Sequence, residues 1–236
     1  MGRQMKITWL GHSGFRFEIG DQVLLVDPWL QGNPVFPAER EGDAIAGATA
    51  IFITHGHGDH FADATRLALA TGAPIYAGHE ISDFLAHQGQ VKSVGFARGG
   101  TVSLGDVKVS MVPASHSNSF DMTPGQLGVA GAECGFVIQG AGHVIYITGD
   151  TGIMADMGWI AEYYQPDIGI LCAGGHYTMD MAGATWAAKR YFNFATVIPC
   201  HYKTFGLLEQ SADTMVAGLP GVDVRVPDVM EAMFWA

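Results

Sequence analysis

The residues best suited to chemistry lie together between positions 54 and 60, in the run Thr-His-Gly-His-Gly-Asp-His. Three imidazoles and one carboxylate within six residues are ligands that zinc and neighbouring divalent metals prefer. Gly56 and Gly58 separate these ligands and would let the backbone turn several side chains towards one point. A polar loop with surface histidines is the alternative, and the density of ligands argues against it. The zinc motif H-E-x-x-H does not fit, because these residues lie before a helix and not along one.

The flanking sequence indicates that this run lies between a strand and a helix. Residues 50–54 are apolar and β-branched, as in a buried strand, and residues 61–71 are rich in alanine and leucine, as in a helix closed by Gly72. The same reasoning predicts an alternating α/β chain. Its other strands are expected at 5–10, 14–19, 22–27, 73–77, 106–112, 134–139, 143–148, 167–172, 195–200 and 222–227, and its other helices at 79–87, 153–164, 180–192 and 207–218.

The run T-H-G-H-G-D-H resembles the H-x-H-x-D-H signature of the metallo-β-lactamase superfamily. Later motifs resemble that superfamily in the same order: A-S-H-S with His116, T-G-D-T with Asp150, and I-P-C-H-Y-K-T-F with His201. The opening W-L-G-H-S followed by D-P looks like the branch containing ascorbate-6-phosphate lactonase and the phospholipase D of N-acyl ethanolamine lipids. It looks closest to a group of uncharacterised bacterial metal-dependent hydrolases. The resemblance covers nearly the whole chain and implies a four-layer αβ/βα sandwich, with residues 1–236 forming one hydrolase domain.

The resemblance also implies a ligand set for two divalent metal ions per chain. Zinc is the first expectation and manganese the second, with iron, nickel and cobalt as alternatives. Two ions about 3.5–4 Å apart would lower the pKa of a bridging water to roughly 7 and polarise the bond to be cleaved. The implied ligands are His55, His57 and His116 for the first ion, Asp59, His60 and His201 for the second, and Asp150 for both.

Four further residues are candidates for roles around the metals. The resemblance places Asp27 behind residues 54–60, hereafter the metal loop, as a support. It places His12 at the mouth of the site, where it would contact substrate or be only a turn residue. His176, in G-G-H-Y-T-M, is expected with Asp59 among the catalytic residues, as a proton donor or substrate contact; a buried, hydrogen-bonded histidine is the alternative. Lys203 stands where relatives have asparagine or a small residue, so it would either add positive charge to the substrate pocket or point into solvent.

Two loops are expected to border the site or a subunit contact. Residues 31–43 are punctuated by proline and glycine and carry Val35 and Phe36, which we expect to be exposed on a rim or subunit contact. Residues 118–133 show no periodicity, which predicts a structureless lid or substrate loop, or else a merely mobile excursion.

Composition narrows the class of protein. The net charge of −11, with only 12 lysines and arginines, argues against a nucleic-acid partner. No apolar run has the length of a membrane span, so we expect no stable membrane insertion. The chain has three cysteines, Cys134, Cys172 and Cys200, without a C-x-x-C pair. They lie in or beside apolar runs, which predicts buried free thiols and a cytoplasmic location. Assembly as a homo-oligomer stays open.

The expected activity is hydrolysis of a small-molecule substrate by hydroxide held between two metals. A lactone or ester, with or without a phosphate group, is the first expectation, and cleavage of a phospholipid or small cyclic phosphodiester is the alternative. A non-hydrolytic di-iron redox protein is less favoured, because such relatives have a glutamate where His57 stands and carry a flavin-binding domain. Antibiotic hydrolysis is also less favoured, because zinc β-lactamases commonly present a cysteine where this chain has Asp150.

Overall fold

The fold was analysed in a computed structural model that describes residues 4–123 and 126–235. The strands in this part of the chain are β1 (Met5–Trp9), β2 (Phe15–Ile19), β3 (Gln22–Val26), β4 (Ala50–Phe52), β5 (Ile75–Gly78), β6 (Ser93–Phe96), β7 (Thr101–Leu104), β8 (Val107–Pro113), β9 (Ser119–Thr123), β10 (Gln126–Val129), β11 (Cys134–Gly140), β12 (His143–Ile147), β13 (Ile168–Cys172), β14 (Thr196–Cys200), β15 (Asp223–Val224) and β16 (Ala232–Trp235). The α-helices are α1 (Glu41–Ile45), α2 (Gly58–Phe61), α3 (Ala64–Thr71), α4 (His79–Gln88), α5 (Asp156–Tyr164), α6 (Met181–Tyr191) and α7 (Asp213–Gly218), and a 3₁₀ turn covers Ala38–Arg40.

Two seven-stranded mixed sheets form the centre of the molecule. The first has the order β16-β1-β2-β3-β4-β5-β6 and the second the order β15-β14-β13-β12-β11-β8-β7. In each sheet one half is antiparallel and the other half parallel: pairing changes at β3 in the first sheet and at β12 in the second. Strands β9 and β10 pair only with each other, as a separate hairpin.

Apolar residues hold the two sheets and their helices in four layers. Phe52 of the first sheet packs edge-on against Phe136 of the second, with ring centroids 5.5 Å apart. Strands β13 and β14 are buried along their whole length, as expected for parallel strands covered on both faces. Leu67 of α3 and Leu85 of α4 are buried in one cluster with Ile51 of the first sheet, while α5 and α6 contribute to the core cluster that contains the second sheet. The predicted α/β sandwich is confirmed.

Three predictions about loops and helices are wrong, in each case because long-range contacts override the local pattern. Residues 119–123 and 126–129 form two paired strands, β9 and β10, and not a structureless loop; residues 124–125 of the predicted 118–133 loop lie outside the described residues. Phe36 is buried in the cluster under the first sheet. Helix α7 begins at Asp213, because residues before it are held by backbone contacts, such as the Glu209 amide donating to the Gly174 carbonyl.

Strands β6, β7 and β16 were not predicted. All three lie at sheet edges, and β6 and β7 contain only exposed and half-buried residues, so neither has a strong apolar signal. Strand β16 pairs antiparallel with β1, with Met5 opposite Trp235, and joins the two ends of the described chain. No helix in the described part of the chain combines the length and apolar character needed to cross a membrane.

Candidate metal centre

The candidate ligands are gathered because the strands that carry them end at one edge of the sandwich. In the first sheet Val26 and Phe52 are register partners, so Asp27 and the 54–60 loop leave neighbouring parallel strands together. In the second sheet β12 and β14 flank β13 and run parallel to it, and they end just before Asp150 and His201. The carboxyl ends of parallel strands meet at one edge, which is where α/β sheets place their sites.

Three groups of side chains at this edge could hold a metal ion. Within each group the candidate ligand atoms all lie within 4.8 Å of one another. Two residues, His55 and His60, belong to more than one group, so the three groups form one connected cluster. The groups are His55, His57 and His116; His12, Asp59, His60 and His201; and His55, His60 and Asp150.

The carboxylate of Asp150 lies between the histidines of the first two groups. Its Oδ2 is 3.0 Å from His201 Nε2 and 3.7 Å from His116 Nε2, and its Oδ1 is 3.4 Å from His60 Nε2. Gly149 makes this placement possible, since its φ is +60° and a methyl group there would come within 2.5 Å of the Cys134 carbonyl oxygen.

The buried atoms of the cluster fit a bound cation. His60 Nε2 and Asp150 Oδ1 are both buried and have no hydrogen-bond partner within residues 4–123 and 126–235. An unsatisfied buried polar atom costs about 1–3 kcal/mol, so two that face each other need an explanation. A divalent cation would satisfy both, and a set of imidazoles and carboxylates is typical of zinc and related metals.

The electrostatics keep most of the cluster in the protonation states that bind metals. Burial lowers the pKa of His55 well below its usual value, and burial also lowers the pKa of His57 and His116. Burial alone would raise the pKa of Asp150, but the His60 and His201 imidazoles outweigh it and lower that pKa well below its usual value. Neutral imidazoles and ionised carboxylates are the metal-binding forms.

His60 is the exception, because carboxylates surround it. Burial opposes its charge, yet the neighbouring carboxylates, of which Asp150 and Asp27 act most strongly, raise its pKa well above the usual value. Its position thus has a net attraction for positive charge. A bound cation would supply that charge in place of the proton.

Asp27 braces the metal loop from behind. Its Oδ1 accepts the Thr54 amide at 2.8 Å, and its Oδ2 lies 2.6 Å from Thr54 Oγ1 and 2.8 Å from His60 Nδ1. This leaves His60 Nε2 directed at the cluster, the arrangement by which carboxylates orient histidine ligands. Asp27 thus contacts both Thr54 and His60 of the run that carries the candidate ligands.

The sequence resemblance places His12 at the mouth of the site, but in the structure it does not lie there. Its side chain is fully buried, and its ring nitrogens lie 2.8 Å from Asp59 Oδ2 and 2.8 Å from Thr204 Oγ1. Burial lowers its pKa to about 4. The reason is that the β1–β2 turn folds beneath the segment after β14, where the His201 amide donates to the His12 carbonyl. The partner Thr204 was missed, because only this long-range contact gives it a role.

Two expected residues are not brought into the cluster. His176 is exposed, belongs to none of the three ligand groups, and has its described ring contact with Tyr177. In the same loop, Gly174 packs against His201 with no room for a side chain. Lys203 is also exposed, with its Nζ 5.2 Å from the centre of the Tyr202 ring.

The β9–β10 hairpin is docked on the metal loop. Asn118, a second residue that sequence reasoning missed, accepts the Gly56 amide at 2.8 Å and donates to the Ala130 carbonyl at 3.0 Å. Ser117 Oγ lies 3.4 Å from His57 Nε2. On the outer face of the hairpin, Leu127 and Val129 are exposed apolar residues.

The remaining cysteines and histidines lie outside the cluster. The three cysteines are free and buried, which confirms the prediction of buried thiols. His79 and His87 are exposed on α4, and His143 Nδ1 lies 2.6 Å from Asp167 Oδ2 at the start of β12. These three histidines have structural or surface positions outside the cluster.

Comparison with known proteins agrees with this geometry. The family described as Beta-lactamase superfamily domain matches residues 22–202. A UPF0173 metal-dependent hydrolase of Paracoccus denitrificans is 59% identical over 96% of this chain and 98% of its own, and one of Ruegeria pomeroyi is 55% identical over 97% and 99%. The metallo hydrolase Igni18 of Ignicoccus hospitalis superposes with a TM-score of 0.83 at 31% identity, covering 99% of both chains. The chain therefore belongs to the metallo-β-lactamase superfamily, within its UPF0173 group of metal-dependent hydrolases.

Proposed function

We propose that this hydrolase binds two divalent metal ions and cleaves a small lactone or ester. The observation that carries the proposal is the Asp150 carboxylate, whose two oxygens lie within 3.0–3.7 Å of histidines from both major ligand groups. A carboxylate in that position suits a ligand shared by two cations. Zinc is the first expectation and manganese the second. The proposed ligands are His55, His57 and His116 for one ion, Asp59, His60 and His201 for the other, and Asp150 for both.

The division between buried and open ligands supports a hydrolytic role. His55, His60, His201 and Asp150 form a buried floor, whereas His57, His116 and Asp59 are partly exposed. A substrate would therefore approach over these three residues. When bound, two metal ions supply Lewis acidity, lowering the pKa of a water to about 7 and polarising the substrate carbonyl. Asp27 holds His60 in one tautomer and orientation throughout, by its contact with Nδ1.

The charges around the cluster favour a lactone or ester over a phosphodiester. No lysine or arginine among the described residues has a recorded hydrogen bond or ion pair with a proposed ligand. Arg98, whose partner Glu133 contacts the His116 amide, is paired with that carboxylate. Lys203 lies against Tyr202. Phosphate recognition usually employs arginine or lysine side chains, so a neutral substrate carbonyl fits this environment better.

The test combines metal analysis with a substrate panel. Purified protein is analysed for metal content and assayed on a lactone, an aryl ester, a bis-aryl phosphodiester and a chromogenic β-lactam, with and without chelator. We expect about two ions per chain and chelator-sensitive turnover of the lactone or ester. Asp150→Asn should lose both metal and turnover, and Asp167→Asn, a surface carboxylate bonded to His143, should keep both. A protein with one ion per chain contradicts the dinuclear proposal, and turnover of the phosphodiester alone contradicts the substrate class.

A further inference from the structure

His12 contacts two other members of the second group of candidate ligands, Asp59 and His201. Its Nε2 lies 2.8 Å from Asp59 Oδ2, and its Nδ1 lies 2.8 Å from Thr204 Oγ1. Its side chain is fully buried. A buried imidazole with a partner on each nitrogen is held in one orientation, and here that orientation is directed at a carboxylate proposed to bind metal.

The two partners determine which nitrogen carries the proton. An ionised Asp59 can only accept a hydrogen bond, so His12 Nε2 must donate to it. The Thr204 hydroxyl then donates to Nδ1, which is the remaining acceptor. In this tautomer the Nε2 lone pair is not available to a cation. His12 therefore lies among the candidate ligands without being able to serve as one while the contact with Asp59 is kept.

The backbone of His12 fixes a second proposed ligand. Its carbonyl accepts the His201 amide at 2.9 Å and also the Trp9 indole at 2.9 Å. The centroids of the His12 and His201 rings lie 3.9 Å apart. Trp29 packs edge-on against His12, with centroids 5.4 Å apart. One residue thus contacts both Asp59 and His201, in a place shielded from water.

We propose that His12 is a positioning residue for the second metal ion, and that it contacts neither the substrate nor the metal. It holds Asp59 through Nε2 and His201 through its carbonyl, and Thr204 holds the other ring nitrogen in the tautomer that Asp59 requires. The inference rests on the proposed function, because it takes Asp59 and His201 as ligands of one ion. Groups that orient metal ligands typically change metal affinity or activity 10- to 100-fold when they are removed.

Two amide substitutions separate positioning from ligation. Glutamine places its amide nitrogen where His12 has Nε2, so His12→Gln keeps a donor to Asp59. Asparagine reaches only the position of Nδ1, so His12→Asn loses that donor, and the left-handed backbone at this position, φ +52°, is one that asparagine tolerates. His143→Asn is the matched control, since it removes a histidine–aspartate contact of similar length, 2.6 Å, far from the candidate ligands.

The affinities of wild type and variants for zinc alone are measured by competition with a chromogenic chelator, and the unfolding temperatures of the metal-free proteins are measured in parallel. We expect His12→Asn to weaken the second ion 10- to 100-fold and to leave the first unchanged. His12→Gln should recover most of that loss, Thr204→Val should show a smaller one, and His143→Asn should show none. The metal-free His12 variants and His143→Asn should all unfold cooperatively.

Each contrary result has a distinct meaning. Two ions bound by His12→Asn with wild-type affinities would overturn the positioning role and leave the dinuclear function intact. Equal losses in His12→Asn and His12→Gln would overturn it in favour of direct ligation by the imidazole. A wild-type protein that binds fewer than two ions would overturn the dinuclear function itself, and with it a role defined by the second ion.

Discussion

Replacing Gly56 by alanine should destabilise the protein, whereas the same replacement at Gly58 should not. Both glycines separate ligands in the histidine-rich loop, and the sequence suggests that both serve backbone freedom. Neither has a positive φ in the structure. An alanine Cβ at Gly56 would lie 2.7 Å from the Ser119 carbonyl oxygen and 3.0 Å from Ala130 Cβ, whereas at Gly58 it would meet no atom within 4 Å. Gly56 is therefore needed for the close approach of the β9–β10 hairpin.

The size of the effect follows from what must move. Ser119 O and Ala130 Cβ lie at the two ends of the hairpin, and Asn118 ties the hairpin to the Gly56 amide. The added methyl group must displace the hairpin or the metal loop, and overpacking of this kind costs about 1–3 kcal/mol. For a chain of this size each kcal/mol lowers the unfolding temperature by about 2–4 °C. Gly58 begins α2, where alanine should be neutral or stabilise the protein by up to about 0.5 kcal/mol.

Thermal unfolding followed by circular dichroism measures the difference, on chelator-treated protein so that metal binding does not contribute. Zinc affinity measured on the same two variants reports whether the displaced loop still holds its ligands. We expect Gly56→Ala to unfold at the lower temperature and to bind zinc more weakly than Gly58→Ala. Equal unfolding temperatures for the two variants would refute the steric argument, and a larger loss at Gly58 would show that backbone freedom is what the loop requires.

Three further predictions concern the support of the site, its metals and the cysteines. Asp27→Asn places an amide where Thr54 Oγ1 and His60 Nδ1 require an acceptor, so zinc affinity by chelator competition should fall about 10- to 100-fold; an unchanged affinity would show that Asp27 does not orient His60. Removing a metal ion whose free concentration is 100 times its Kd should lower the free energy of unfolding by about 2.7 kcal/mol and the unfolding temperature by about 5–11 °C. Calorimetry with and without chelator measures this difference. An unaltered temperature would contradict a metal bound to the folded state. Burial raises the pKa of all three cysteine thiols, Cys134, Cys172 and Cys200. A thiol reagent at mildly alkaline pH should therefore label none of them in the folded protein and all three after denaturation. Labelling without denaturant would contradict their burial.

The sequence was sufficient to predict the elements that carry the ligands. Apolar β-branched runs before Asp27, Asp150 and His201 form strands, and the ligands follow the strand ends as expected. Helix 180–192 was also placed within a residue at each end, because Asp180 caps it by accepting the Gly183 amide at 2.6 Å. Such features depend on residues close together in the chain, so the hydrophobic periodicity and the helix-capping residues can be recognised in the sequence.

Features that depend on distant contacts were not predictable. The paired strands β9 and β10 form where Asn118 binds the amide of a residue 62 positions earlier in the chain. The β1–β2 turn reads as an ordinary glycine-flanked turn, and the partner that buries its histidine, Thr204, lies 192 positions away. Local patterns indicate that a turn exists but not what it packs against, so they could not correct the resemblance, which placed His12 at the mouth of the site.

The backbone itself supplies independent support for a function at this edge of the sandwich. His12, Asp27 and His201 all adopt left-handed conformations, with φ of +52°, +44° and +58°. Such conformations cost about 1–2 kcal/mol for a residue with a side chain, and glycine would adopt them without that cost. Among the described residues, four others with side chains also have a positive φ: Ala141, Gln165, Lys203 and Met230. Ala141 lies in the turn between β11 and β12, and Gln165 follows α5 as its C-terminal cap, where such values are expected. At His12, Asp27 and His201 the side chain converges on Asp59, His60 or Asp150. The chain therefore keeps strained, side-chain-bearing residues where glycine would be easier, and strain retained in this way is typical of sites that act on a ligand.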